Sequence, residues 1–383
     1  MIGHGYAVEE VKSAQQQVWI LTLTLPFPDE WAEAVACGGN RLVVRQWKGS
    51  ARWWNLNTND ASPQGVARAE IAAYRISHEA LPHLVVPQVL HCSNGCFNST
   101  THELPWAIFS YVGEHSMYFD DTRKYTTEWI DAMIPVRHEF GFDEPHPRWG
   151  RVPVEQAEEY ALEVLRTVTI PLHQHLAINP NQDWRDLSTD GRAFAYLDMV
   201  AVCREAHSRM VETIRSNGNS SYEKWQCVAD ALAKCIAKLT MEASTVKPVA
   251  WVLVHMDCQP QNLIFRQCTK GASISSILDW EEAAYADARF ELLLMGRKVC
   301  ANRKQADKIW EIYEDECQLL GDIEPWLRLE AIHSITMLTL QSLNMLGGGR
   351  NPWESNPDLW DKVKRDFHRL VRLGWEFCSD VVT

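Results

Sequence analysis

Three oxygen-bearing side chains in the second half of the chain are spaced for chemistry. Residues 249–254 form an apolar run, Val-Ala-Trp-Val-Leu-Val, and His255-Met256-Asp257-Cys258-Gln259-Pro260-Gln261-Asn262 follows it. Leu263-Ile264-Phe265 comes next, then a polar loop over 266–273 that holds Lys270-Gly271. A β-like stretch from Ile274 to Leu278 then runs into Asp279-Trp280-Glu281. The pattern predicts a hairpin folded about Lys270-Gly271. In that register Asn262 and Asp279 face one another at the open end, near Asp257. An amide oxygen and a carboxylate at that point are hard ligands suited to Mg²⁺, which takes waters and phosphate oxygens besides. Asp257 is a separate carboxylate on the same cavity. It is placed to orient a substrate hydroxyl and accept its proton during phosphoryl transfer.

The elements that must carry these residues are legible around them. Residues 17–25 are predicted to form a strand, with Leu and Thr alternating at period two over 21–25. Gly38-Gly39-Asn40 supplies a turn, and Leu42 to Trp47 reads as the next strand. Residues 63–81 carry Val66, Ile71, Tyr74 and Leu81 near helical spacing and stop at Pro82. Two more strands are expected at 88–92 and 106–112. The order β–β–α–β–β predicts a small antiparallel sheet with one helix. From about residue 150 the pattern turns helical, with amphipathic segments at 154–168, 192–214, 222–243, 303–319, 325–346 and 357–378. The stripe Trp225, Val228, Leu232, Ile236, Leu239 is typical, and such stripes are expected to be core. The fold class is therefore α+β, bilobal. Region 113–153 is different, rich in charge, aromatics and proline. It reads equally as an inserted cover over a substrate site or as a surface excursion.

Composition bounds the function. The chain has 383 residues, 46% hydrophobic and 23% charged, which excludes a largely disordered protein. Its formal net charge of −13 argues against a nucleic-acid partner, which wants a basic face. It suits a cationic small substrate. No stretch is long and apolar enough for a transmembrane helix, and no secretory signal pattern opens the chain, so no membrane partner and a cytoplasmic location are expected. The eleven scattered cysteines fit reduced thiols. Cys92 and Cys96 are close but lack a second ligand pair at zinc spacing, so packing cysteines are expected.

His255-x-Asp257-x-x-x-x-Asn262, with Pro260 two before the Asn, followed by Leu278-Asp279-Trp280-Glu281, resembles the aminoglycoside phosphotransferase and choline kinase superfamily. The segment from Glu282 to Leu292, with Asp287 and an acidic Glu291 expected just before a helix, resembles that superfamily too. The resemblance spans roughly residues 10–300. It implies a protein-kinase-like fold, ATP and Mg²⁺ as cofactors, and a small-molecule alcohol as acceptor. Asp257 resembles the catalytic aspartate, Asn262 and Asp279 the magnesium ligands, and His255 a structural loop histidine. Arg45 lies on the third-strand candidate, where the family places a cation on the nucleotide phosphates. Glu70 lies on the following helix, where its acidic partner belongs. Ser110, Tyr111 and Val112, within Phe109 to Gly113, resemble the hinge that binds adenine.

The resemblance also divides the chain. Residues 1–112 correspond to a nucleotide-binding lobe ending in the hinge. Residues 113–383 correspond to a helical lobe with the catalytic hairpin (249–281). Acceptor-binding groups are expected in 113–153, with Asp120, Asp121, Asp143 and Glu144 as candidates, and in the C-terminal helices. An amine- or sugar-bearing alcohol is the expected acceptor; the oligomeric state stays open. The sequence departs from the pattern in places. Ser13-Ala14-Gln15-Gln16-Gln17 replaces the glycine-containing phosphate loop, where Ser13 offers a hydroxyl. Met256, Cys258 and Gln261 stand where Gly, Leu and Gly are usual. A nucleotide- or metabolite-binding module without turnover is the alternative reading.

Overall fold

The computed structural model describes residues 6–12, 16–23, 28–32, 39–48, 62–96, 103–112, 154–175, 177, 193–194, 196–217, 223–258, 262–268, 271–298, 300, 303–345 and 357–382. Ser13 and all of region 113–153, with its four acidic candidates, lie outside them.

The N-terminal lobe is a five-stranded sheet. Its strands are β1 (Tyr6–Lys12), β2 (Gln16–Leu23), β3 (Arg41–Trp47), β4 (Val89–Cys92) and β5 (Trp106–Ser110), in the order β1-β2-β3-β5-β4. Every pairing is antiparallel. The first strand was not among the expected four. It carries Glu9-Glu10 in place of clean alternation and sits at the sheet edge, where charge is tolerated and protects against mispairing.

Helix α1 (Pro63–Ala80) crosses between β3 and β4. Ser62 caps it by accepting from the Gly65 amide at 3.1 Å, and Pro63 takes the first helical position, where a missing N–H costs nothing. Its inner face buries Val66, Ala67, Glu70, Ile71 and Tyr74. Cys96 is a packing residue, its thiol donating to the Trp106 carbonyl at 3.4 Å.

The C-terminal lobe is helical with two small β elements. Its helices are α2 (Val154–Val164), α3 (Ile170–His175), α4 (Tyr196–Asn217), α5 (Glu223–Ala243), α6 (Ala288–Lys298), α7 (Arg303–Cys317), α8 (Glu324–Met345), α9 (Pro357–Arg372) and the short α10 (Ser379–Val382). The expected α5 stripe is core: Trp225, Val228, Leu232 and Leu239 are fully buried and Ile236 nearly so. Between α2 and α3 the chain widens into a π turn, Leu165–Thr169. Pro171 has no N–H for the Thr167 carbonyl four residues back, and the widening falls there. His83 Nε2 bonds that carbonyl instead, at 2.8 Å.

Strands β6 (Ala193–Phe194), β10 (Ala284–Asp287) and β7 (Trp251–Val254) form one small sheet, and β8 (Leu263–Cys268) with β9 (Gly271–Ile277) forms the hairpin. The hairpin register differs from the expectation. Cys268 pairs with Gly271, so the hairpin folds one residue earlier than a turn centred on Lys270-Gly271. Near the open end Phe265 pairs with Ile274 but Ile264 pairs with Ser276, leaving Ser275 as a bulge. Asn262 therefore meets Leu278, whose amide donates to its carbonyl at 2.8 Å, and Asp279 follows one residue beyond. The bulge is used: the Ser275 carbonyl accepts from the Val85 amide at 2.8 Å, and the Ser276 hydroxyl donates to the Val85 carbonyl at 2.5 Å. The two-lobed α+β arrangement is as expected. Among the described residues no helix is long and apolar enough to cross a membrane.

Candidate active site

The site is built where β7, the hairpin and the small sheet meet. His255 leaves β7 fully enclosed. Its Nδ1 accepts from the Asp257 amide at 3.2 Å, and its Nε2 lies 2.8 Å from the Leu278 carbonyl. An amide can only donate, so Nδ1 carries no proton and Nε2–H donates to Leu278. The imidazole thereby ties the Asp257 loop to the residue before Asp279. The expected structural role of His255 has this geometry.

Met256 has φ of 68°, in the left-handed region where glycine is at home. Its amide donates to the Glu291 carboxylate at 2.9 Å, which pins the unusual conformation. Glu291 does not precede a helix but lies in the first turn of α6. Asp257, next along, is buried. Asn262 Nδ2 donates both to its carbonyl and to its Oδ2, each at 2.9 Å. The amide nitrogen of Asn262 is thus committed to Asp257, which leaves its oxygen as the end able to ligate a cation.

Asp279 also has a left-handed backbone, φ 62° and ψ 61°, and starts the turn Trp280–Glu282. Its Oδ1 accepts from Arg45 Nη2 at 2.9 Å, and Glu281 Oε2 accepts from the same nitrogen at 2.9 Å. Arg45 Nη1 pairs with Glu70 Oε1, and Trp47 Nε1 donates to Glu70 Oε2 at 2.6 Å. So β3, α1 and the C-terminal lobe converge on one guanidinium. Arg45 and Trp47 share a face because side chains two apart on a strand do.

Burial pushes the Glu70 carboxyl up to about 8, against the pull of Arg45 and with further push from Glu281 and Asp279. Burial opposes the charge on Arg45 as well, but the carboxylates of Glu70, Asp279 and Glu281 outweigh it and raise its pKa.

The donor set fits Mg²⁺. Three carboxylates surround one guanidinium, so the cluster carries excess negative charge. The Asp279 side chain is 30% exposed while that of Glu70 is 0%, so Asp279 is the carboxylate that can reach an ion from solvent. Among the described residues no three His, Cys, Asp or Glu side chains form a dedicated metal cage. Asn262 and Asp279 offer one amide oxygen and one carboxylate, donor types that suit an ion bringing waters and phosphate oxygens with it.

A column of rings stands beside the cluster. His255 contacts Trp280 at 4.5 Å between centroids, Trp280 contacts Tyr74 at 6.4 Å, and Tyr74 contacts Phe109 at 5.0 Å. At the end of β5, the Ser110 amide donates to the Gln88 carbonyl at 2.9 Å and its hydroxyl accepts from the Gln88 amide at 2.8 Å. Ser110 therefore spends its amide and hydroxyl holding β5 to the strand before it. Tyr111 and Val112 follow, and Tyr111 lies under the Arg41 guanidinium, 4.5 Å from the ring centroid.

Four residues of this site were not singled out by sequence as contacts. Glu281 joins Arg45, Trp47 holds Glu70, Tyr74 reaches Asp279, and Glu291 holds Met256. Periodicity could have found the middle two: Trp47 is two residues from Arg45 on a strand, and Tyr74 is four from Glu70 on a helix.

Comparison with known proteins agrees with this architecture. The chain resembles a Ralstonia eutropha protein assigned to the aminoglycoside phosphotransferases, with 14% identity, 99% of this chain and 94% of that one covered, and a TM-score of 0.50. It resembles the GDP complex of wild-type aminoglycoside 2′-phosphotransferase-IIIa at 12% identity, with 95% and 93% covered and a TM-score of 0.51. It also resembles the GDP and kanamycin complex of APH(2″)-IIIa at 11% identity, with 96% and 94% covered and a TM-score of 0.50. No curated protein sequence matches the chain. At these identities the structures establish the protein-kinase-like fold. The sequence profile of the phosphotransferase enzyme family, however, matches residues 31–326, a span that takes in Arg45, Glu70, Asp257, Asn262 and Asp279. The chain belongs to the phosphotransferase enzyme family.

Proposed function

We propose that the protein is an ATP- and Mg²⁺-dependent small-molecule kinase that transfers the γ-phosphoryl group to a hydroxyl of an amine- or sugar-bearing acceptor. The observation that carries this reading is the meeting of Arg45 and Asp279 across the two lobes, with the hydrogen-bonded pair Asp257 and Asn262 alongside. On this reading residues 1–112 bind nucleotide and residues 113–383 supply catalysis and acceptor binding.

Asp257 orients the acceptor hydroxyl and takes its proton as transfer proceeds. Asn262 holds the Asp257 carboxylate in one rotamer through Nδ2. Arg45, kept charged by its carboxylate neighbours, grips phosphate oxygens, and Glu70 holds Arg45 in place. Mg²⁺, held by Asn262 and Asp279, supplies neutralisation of phosphate charge. Tyr111 and Val112 offer the hinge backbone to the adenine, next to Ser110; Ser13 offers a hydroxyl near the phosphates.

The acceptor class rests on charge. A chain at −13 favours a cationic substrate, and kanamycin, bound in one structure of similar fold, is an amine-bearing sugar. A soluble cytoplasmic enzyme without nucleic-acid or membrane partners fits the same composition.

An ADP-release screen over aminoglycosides, choline, ethanolamine, amino alcohols, nucleosides and sugars, with and without Mg²⁺, tests the proposal. Mg²⁺-dependent turnover on at least one acceptor is expected. The glycine-free Ser13-Ala14-Gln15 segment favours a second reading, nucleotide binding without turnover. ADP binding with no turnover across the panel would select it.

A further inference from the structure

Helix α1 carries a second polar group into the site, one turn after Glu70. The Tyr74 hydroxyl accepts a hydrogen bond from the Asp279 amide at 3.3 Å. That amide belongs to a non-glycine residue at φ 62°, a conformation that persists where several neighbours hold it. Tyr74 is held in turn. Its ring is buried between Phe109 at 5.0 Å and Trp280 at 6.4 Å, so the hydroxyl has little freedom to leave. A phenylalanine would fill the ring column equally well. The hydroxyl is therefore surplus to packing, and its hydrogen bond goes to the backbone of a candidate magnesium ligand. Burial first, and then the nearby Glu70 carboxylate, push the Tyr74 pKa up, so it stays a neutral phenol.

We propose that Tyr74 is a positioning residue whose hydroxyl fixes the backbone of Asp279, so that the Asp279 carboxylate is presented to the cation of a magnesium nucleotide. The inference deepens the kinase reading and rests on it. The arrangement parallels the other left-handed residue of the site. Met256 has its amide held by Glu291 from α6, and Asp279 has its amide held by Tyr74 from α1. Tyr74 differs in reaching from the opposite lobe. It makes the geometry of the metal side of the site depend on where α1 sits.

The test is Tyr74→Phe, with ADP as probe in isothermal titration, once with Mg²⁺ and once with EDTA, and with the melting temperature of the ligand-free protein. Loss of one hydrogen bond weakens Mg²⁺–ADP binding by about 2–10-fold. ADP binding in EDTA stays at the wild-type value, and the melting temperature falls by no more than a few degrees. Tyr74→Leu, which breaks the ring column, lowers the melting temperature and both affinities. Equal affinities for wild type and Tyr74→Phe in Mg²⁺, or equal losses with and without Mg²⁺, overturn the proposal. Failure of the wild-type protein to bind ADP under either condition instead removes the kinase reading beneath it.

Discussion

Arg45 on β3 of the N-terminal sheet and Asp279 just past the hairpin share a hydrogen-bonded ion pair of 2.9 Å. A single residue therefore reads the position of both lobes: it pairs with Glu70 on its own side and with Asp279 and Glu281 on the other. Replacing it tests how far the enclosed acids depend on it. Arg45→Ala leaves Glu70 buried without its cation, and a cost of about 3–5 kcal/mol in urea unfolding is expected. Adding Glu70→Gln to that variant removes the acid, which burial otherwise forces to take up a proton, and restores a good part of the loss. No recovery in the double variant would show that the pair contributes little.

Asp257 is expected to matter for turnover and little for nucleotide. Asp257→Asn keeps the size and hydrogen-bonding reach of the side chain but removes the base. On the best acceptor from the screen, kcat should fall by about 10²–10⁴-fold, the usual range for a positioned base. The Kd for Mg²⁺–ADP should be unchanged. Retained turnover would remove Asp257 from the chemistry.

Glu291 should act at a distance through Met256. Glu291→Ala leaves the left-handed Met256 amide without its acceptor, at about 1–3 kcal/mol for a buried group. A loss of roughly tenfold in kcat is the expected outcome, since Asp257 is the next residue. Glu291→Gln keeps an acceptor oxygen and should retain most of the activity. Steady-state rates on both variants decide it.

His173 predicts an acid limb of stability. Its ring is fully enclosed, with Nδ1 at 2.7 Å from the Tyr313 hydroxyl, and burial lowers its pKa from 6.5 to about 3. The unfolded chain takes up a proton near 6.5 that the folded chain refuses until near 3. The folded state is thus favoured above that window, and stability falls with acid inside it. The slope reaches about 1.4 kcal/mol per pH unit for one group. Urea midpoints of His173→Gln, measured between pH 6.5 and 4, should fall less steeply than those of the wild type. Parallel slopes would contradict the assignment.

Much of this site was legible in sequence because its parts are local. Asp257 and Asn262 lie five residues apart, Asp279 follows just after a strand, and the amphipathic stripes of the large lobe are core where the pattern put them. The hairpin register was not legible. A bulge at Ser275 adds one residue to one strand, and no residue type there announces it; the residue bonded there is Val85, far away in sequence. Contacts across lobes were equally silent. Nothing in the run Asp279-Trp280-Glu281 says that Glu281 turns to Arg45, and the Tyr74 hydroxyl looks like one more polar tip on a helix. The charged edge strand β1 was missed because its pattern obeys aggregation avoidance more than burial.

The short segment between α1 and β4 has a mechanical meaning. His83 grips the carbonyl that Pro171 leaves stranded, and Val85 is stitched to the hairpin bulge on both its amide and its carbonyl. The N-terminal sheet is thus moored to the larger lobe at this seam as well as through Arg45. A body moored along two lines keeps one easy rotation, about the axis joining them. Any other displacement of the sheet breaks the Val85 bonds or the Arg45 pairs.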